Sequence, residues 1–248
     1  QVHAMVNRCA HKGALVCIKE RGNTKQMTCV YHSWTYAMDG RLKGLAFQKG
    51  LRGEDGMPDD FAIDNHRLEP VRAEIFCGLV FGTFSEQTPP VEQFFGKPMA
   101  DYLHRCLGRP LKLLGAHSQI LHNNWKLYAE NVRDPYHATL LHTFYSAMKI
   151  NRLDMDGGIV MADDKWHHIS YAKRATFNEV EEYKAAKVHS VQYDSELEGP
   201  RLLDAWDEFD DGITHSIQAF FPTLTIHFTL NSLCVRFFTP RAVEETEL

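Results

Sequence analysis

The chain has 248 residues, 44% of them hydrophobic, and a formal net charge of −5 at pH 7, which allows two ordinary domains with sizeable cores. This balance excludes the basic face that nucleic-acid phosphates require. No apolar run approaches the roughly 20 residues of a membrane-spanning helix, so small molecules and proteins are the expected partners.

Residues 1–84 alternate short apolar runs, such as Val2-His3-Ala4-Met5-Val6 and Leu79-Val80-Phe81-Gly82-Thr83-Phe84, with glycine, proline and aspartate clusters. This pattern predicts a small all-β domain. In residues 85–110, Val91, Phe94, Phe95, Tyr102, Leu103 and Leu107 recur near helical spacing after Pro89-Pro90, which predicts a linker and then a helix. Residues 111–248 form the second domain. Residues 111–121 read as a strand, 125–145 as helix-rich and 217–240 as a strand pair rich in Phe, Thr, Leu and Val. There is no internal repeat. The opening residues lack the basic, apolar, small-residue order of a signal peptide, so a cytoplasmic setting is expected.

Six cysteines are too sparse for a disulfide scaffold, which leaves metal ligation or burial. Cys17, Cys77, Cys106 and Cys234 read as small buried residues. The other two belong to a pattern: Cys9-Ala10-His11 and Cys29-Val30-Tyr31-His32 give C-x-H-x17-C-x2-H. Two such loops converging on one centre suit a [2Fe–2S] cluster with two sulfurs on one iron and two imidazoles on the other. Neutral imidazoles raise its potential to roughly −150 to +300 mV. A structural zinc site accepts the same four ligands but more commonly opens on C-x2-4-C.

A second pattern, D-x2-H-x4-H, is formed by Asp134, His137 and His142. Two histidines and one carboxylate on one face are the ligand set of non-haem iron(II) oxygenases. A straight helix would set His137 and His142 roughly 140° apart, so the helix must widen or break, and Pro135 is a place for it. Buried histidines and capping aspartates are common, so the spacing alone is weak. Asp207, Asp210, Asp211, Glu244, Glu245 and Asp204 read as a solvated helix and loop surface.

The segments Asn7-Arg8-Cys9-Ala10-His11-Lys12-Gly13-Ala14 and Cys29-Val30-Tyr31-His32-Ser33-Trp34-Thr35-Tyr36, followed by Asp39-Gly40-Arg41-Leu42, closely resemble the Rieske domain of aromatic-ring-hydroxylating oxygenases. The N-W-K, E-N and D-P-Y-H words between Asn124 and His142 resemble the mononuclear iron segment of that family. The resemblance implies an α+β fold: a Rieske β-domain beside a catalytic domain whose antiparallel sheet is covered by helices. Cys9, His11, Cys29 and His32 would hold the [2Fe–2S] cluster, and His137 and His142 would hold Fe(II), with O2 as co-substrate. Asp134 matches the carboxylate that links the Rieske centre of a neighbouring subunit, through His32, to this iron. Asn131 matches a residue near the iron. The Asn131–Asp134 interval is one residue shorter than in naphthalene-type members and is like the branch acting on aromatic carboxylates.

The words Arg41-Leu42-Lys43-Gly44-Leu45-Ala46-Phe47 and Gly56-Met57-Pro58 look closest to hydroxylases of salicylate, anthranilate and terephthalate. The implied substrate is a small monocyclic aromatic carboxylate, with Gln218 a candidate to contact it. A polycyclic substrate, or an electron carrier without oxygenase activity, is the alternative. The implied partners are a ferredoxin or reductase and a small β-subunit in an α3β3 or α3 ring. The family's third iron ligand, a carboxylate on a helix beyond the catalytic sheet, is expected to follow Leu248, and a further segment to precede the first Rieske strands.

Overall fold

A computed structural model describes residues 1–147, 150–151, 155–174 and 205–248. The chain divides into two compact units, Gln1–Phe94 and Phe95–Leu248. Among the described residues no helix is long and apolar enough to cross a membrane.

The first unit contains β1 (Ala4–Met5), β2 (Met27–Thr28), β3 (Thr35–Tyr36), β4 (Leu42–Gly44), β5 (Pro70–Phe76) and β6 (Leu79–Thr83). They make two antiparallel three-stranded sheets, β1-β5-β6 and β2-β3-β4. Cys77 and Gly78, both at positive φ, form the two-residue turn between β5 and β6; such turns match the twist of the strands they join. Asp39-Gly40 makes the β3–β4 turn: Asp39 Oδ1 accepts the Arg41 N–H at 3.1 Å, and Gly40 sits at φ +83°. A Cβ at Gly40 would press against Met5 and Leu68, so glycine serves both conformation and packing. The core gathers Cys9, Val16, Met27, Cys29, Trp34, Tyr36, Leu42 and Leu68.

Helix α1 (Val91–Phe95) ends at the first residue of the second unit, which goes on with α2 (Lys97–Leu107), β7 (Ile120–Leu121), α3 (Trp125–Asn131), α4 (Tyr136–Leu141) and α5 (Thr143–Ala147). After these come β8 (Gly157–Met161), β9 (His168–Lys173), β10 (Ile213–Phe220), β11 (Leu224–Thr229), β12 (Ser232–Phe237), β13 (Thr239–Ala242) and β14 (Glu245–Glu247). Strands β8 to β12 form one antiparallel sheet in chain order. Together the two units are α+β.

The pleat sorts this sheet into two faces. On one lie Ser216, Gln218 and Phe220 of β10 with Ile226 and Phe228 of β11: Gln218 donates to Met99 O of α2, Arg105 of α2 lies over the Phe228 ring, and Phe220 meets Phe95 of α1. The apolar stripe Met99, Ala100, Leu103, Cys106 and Leu107 of α2 is buried; large side chains such as Met99 and Leu103 contribute about 1.5–3 kcal/mol each. On the other face lie His168 of β9, His215 of β10, Thr225, His227 and Thr229 of β11, and Cys234 and Arg236 of β12, aligned by the register.

Several expectations are corrected. The strand expected at 111–121 is reduced to Ile120–Leu121 pairing with β14, extended by the Gln119–Leu248 backbone pair, because residues 111–118 have no ladder partner among the described residues and Leu113 and Leu114 are exposed. The strand pair expected at 217–240 is a meander of β10, β11 and β12. Of the four cysteines read as buried, only Cys106 is; Cys77 is half-buried in its turn, and Cys17 and Cys234 are exposed. Asp211 is no solvated loop residue, since it makes a bidentate pair with Arg105 at 2.6 and 2.8 Å. Asp207 caps its loop by accepting the Gly212 N–H at 2.8 Å. Asp204 lies outside the described residues.

Candidate metal centres

The two cysteine loops of the first unit are built alike. Cys9 N–H donates to Ala14 O, and Gly13 N–H returns to Cys9 O. In the second loop Cys29 N–H donates to Trp34 O, and Ser33 N–H returns to Cys29 O. The residue four after each cysteine has positive φ, Gly13 at +72° and Ser33 at +57°, which turns each loop back on itself. The cysteines point into the core, 4% and 1% exposed, while His11 and His32 extend outward. Their Nδ1 atoms lie 3.1 Å apart. Two nitrogens binding one first-row ion at about 2.1 Å each sit roughly 3.0–3.4 Å apart. Trp34 stacks on His11 at 4.9 Å between ring centroids, and Tyr31 lies against His32 at 3.9 Å, so both rings are held in place.

Burial pushes the Cys9 thiol up, but hydrogen bonds from Tyr36 and from the His11 and Lys12 backbone outweigh it, and the thiol ends below its ordinary range. Partial desolvation and the neighbouring His32 lower His11. A thiolate and a neutral imidazole are the ligating forms. The donor set therefore fits a cluster with one iron on two sulfurs and the other on two nitrogens.

In the second unit, Asn124 caps α3 by accepting the Lys126 N–H at 3.1 Å. Asp134 Oδ1 accepts the N–H groups of Tyr136 (2.8 Å) and His137 (3.3 Å), which starts α4. The required break falls at His142 rather than at Pro135: α4 stops at Leu141, and His142 takes the non-helical φ −95°, ψ 79° before α5 begins. That rotation brings His142 Nε2 to 3.2 Å from His137 Nε2. Pro135 instead occupies the position just before α4.

Asn131 Nδ2 is 3.0 Å from His137 Nε2. Asp134 Oδ2 is 3.4 Å from His137 Nδ1, a buried nitrogen that makes no hydrogen bond among the described residues. The carboxylate thus stands behind the imidazole, where it can fix the ring and raise its basicity. Burial, then His137, lower His142 below the usual imidazole range. Among the described residues no group of three or more His, Cys, Asp or Glu side chains is placed to hold one ion; His137 and His142 supply two ligands of a set.

Residues 104–248 match the family described as the ring hydroxylating alpha subunit (catalytic domain), and residues 1–53 match the Rieske [2Fe-2S] domain. The chain belongs to the ring hydroxylating alpha subunits. It is 40% identical over 248 residues to terephthalate 1,2-dioxygenase, terminal oxygenase component subunit alpha 2, of Comamonas sp, covering all of this chain and 60% of that protein. It is 39% identical over 246 residues to the anthranilate 1,2-dioxygenase large subunit of Burkholderia cepacia, covering 99% of this chain and 58% of that one. The chain therefore spans about three fifths of the length of these relatives. The fold is that of naphthalene 1,2-dioxygenase from Rhodococcus sp. bound to indole, with a TM-score of 0.74 at 22% identity over the whole of this chain and 58% of that one. A Rieske [2Fe–2S] centre and a non-haem iron centre are the cofactors of this family.

One candidate is corrected. Gln218 lies on the sheet face that meets α2, fully buried, and donates to Met99 O at 2.8 Å. Strand alternation turns it away from the face bearing His215 and His227. Sequence reasoning missed what that second face carries. His215 Nε2 meets His227 Nε2 at 2.9 Å, and Thr229 Oγ1 lies 3.0 Å from His227 Nε2. Tyr145 covers the pair, its ring 5.1 Å from His215 and 5.4 Å from His142. Burial, then neighbouring positive charge, push His215 down to about 4 and His227 to about 3, so both are neutral near pH 7. The available signal was the odd-numbered alternation of polar residues along β11, Thr225, His227 and Thr229.

Proposed function

We propose that the whole protein is the large catalytic subunit of a Rieske oxygenase that hydroxylates a monocyclic aromatic carboxylate of the salicylate, anthranilate or terephthalate kind. The observation supporting this most strongly is the pair of converging imidazoles in each unit, at 3.1 Å for His11 and His32 and 3.2 Å for His137 and His142. When bound, the cluster stores single electrons and Fe(II) activates O2. Cys9 and Cys29 hold sulfur ligands in the dry core, while His11 and His32 face outward towards electron partners. Asp134 orients His137, and Asn131 sets an amide beside the ion position.

Electrons come from a ferredoxin or reductase. His32 of one copy faces Asp134 of the next in a closed ring of three copies, joined by small β-subunits in an α3β3 assembly, and head-to-tail closure gives each copy one donor and one acceptor face. The setting is the cytoplasm, which suits six unpaired cysteines.

The test uses full-length protein purified anaerobically with a reductase, NADH and 18O2. Salicylate, anthranilate, benzoate and terephthalate are offered beside naphthalene. The expected result is iron with acid-labile sulfide and a labelled hydroxylated product from a carboxylate. Labelled product from naphthalene alone would overturn the substrate class; metal-replete protein that labels no substrate would overturn the oxygenase.

A further inference from the structure

The two iron histidines are held by different means. His137 has the Asp134 carboxylate behind its Nδ1. His142 has no such partner: among the described residues its ring nitrogens meet only His137 Nε2, at 3.2 Å. It also lies outside both helices, at φ −95°, ψ 79° between α4 and α5, so the rotamer limits of a helix do not fix its ring. A metal-ligating imidazole normally gives its second nitrogen to a carboxylate, carbonyl or water that sets the ring plane. For His142 another contact must supply that constraint.

Tyr145 is placed to supply it. Its N–H donates to His142 O at 2.9 Å, which ties the first turn of α5 to the ligand. Its ring meets the imidazole in a T-shaped contact, with centroids 5.4 Å apart and planes at 68°, within the range of about 4.5–7 Å that ring pairs favour. Among the described residues the only other ring against His142 is that of His137. The phenol ring is supported in turn by His215 at 5.1 Å and His227 at 6.5 Å, two buried imidazoles joined through their Nε2 atoms at 2.9 Å. Its backbone is anchored to the same place: Tyr145 O accepts the N–H groups of Ile150 (2.9 Å) and Asn151 (3.4 Å), and Asn151 Nδ2 reaches His215 Nδ1 at 3.4 Å. We propose that Tyr145 is a positioning residue whose ring, backed by His215 and His227, holds the His142 imidazole with Nε2 turned to the ion. It does by packing what Asp134 does for His137 by charge. This rests on the oxygenase reading above.

The test uses full-length protein and needs no turnover. Chelator competition reads the affinity for mononuclear iron, and the paramagnetic resonance line shape of its nitric oxide adduct reads the ligand geometry. Tyr145→Phe keeps the ring and is expected to match the parent in both. Tyr145→Met fills similar space without a flat face; it is expected to weaken iron by about 10-fold and to broaden the adduct signal as His142 samples several rotamers, with cluster absorbance unchanged. Tyr145→Leu repeats the measurement should the methionine variant not fold. Parent affinity and line shape without the ring would overturn the proposal, and so would a phenylalanine variant as impaired as the methionine one. A parent protein that takes up no mononuclear iron would instead overturn the oxygenase reading, and this role with it.

Discussion

The Tyr36 hydroxyl lies 3.1 Å from Cys9 Sγ and 3.1 Å from the Ala10 N–H. It accepts from the amide and donates to the sulfur, and burial followed by the Cys9 contact drives the phenol far above its usual range, so the proton stays on the oxygen. A hydrogen bond to a cluster ligand favours the reduced, more negative state. Tyr36→Phe is expected to keep the cluster and lower its potential. A differential of about 1 kcal/mol corresponds to about 40 mV for a one-electron couple. Spectroelectrochemical titration measures it, and an unchanged midpoint would remove Tyr36 from the tuning of the centre.

The two metal centres should be lost separately. Cys9→Ser is expected to abolish the visible cluster spectrum and leave iron at His137 and His142, because the cysteine loops fold in their own unit. His142→Ala is expected to do the reverse and to end product formation. Iron-to-sulfide ratios of the two purified variants decide this; loss of both metals from either one would contradict it.

Asp134→Asn keeps an oxygen to accept the Tyr136 and His137 N–H groups, so α4 should still form. It removes the charge behind His137 Nδ1, and second-shell losses of this kind lower metal affinity or activity by about 10- to 100-fold. Chelator competition for the mononuclear iron, with cluster absorbance as the control, reads the effect. Affinity equal to the parent's would show that Asp134 does not support His137.

Arg105 and Asp211 give a prediction in pH. Burial alone would raise the Asp211 carboxyl, yet Arg105 and the Ile213 amide hold it below the ordinary aspartate range. A carboxyl depressed in the folded state adds stability above its unfolded value of about 3.9 and loses it as pH falls through the lower folded value. Asp211→Asn is expected to destabilise the catalytic unit by about 1–3 kcal/mol at pH 7. Denaturation from pH 7 to 3 should show the gap between variant and parent closing below about pH 4; a gap that widened on acidification would refute the assignment.

Both ligand patterns were legible in the sequence because each sits in short local stretches, and the α+β class came with the family resemblance that those stretches carry. The need for a helix break was legible too, since five residues at helical pitch cannot align two imidazoles. Its site was not, because Pro135 is tolerated just before a helix starts while His142 carries no breaker chemistry of its own. Gln218 was misassigned for a related reason. An amide on a strand is polar in either direction, and only the register of β10, with α2 on one side, decides that it meets Met99 O. His215 and His227 come from two strands, and their meeting depends on a pairing that no single window of sequence shows.

The pleat of β10 and β11 also separates two kinds of evolutionary freedom. Ser216, Gln218, Phe220, Leu224, Ile226 and Phe228 answer to the packing against α2, whereas His215, Ile217, Thr225, His227 and Thr229 answer to whatever occupies the other side. Adjacent codons therefore fall under different selection. A library that varies the odd-numbered positions of these strands can change that second face without disturbing the helix beneath, and one shifted by a single residue would return mostly unfolded protein.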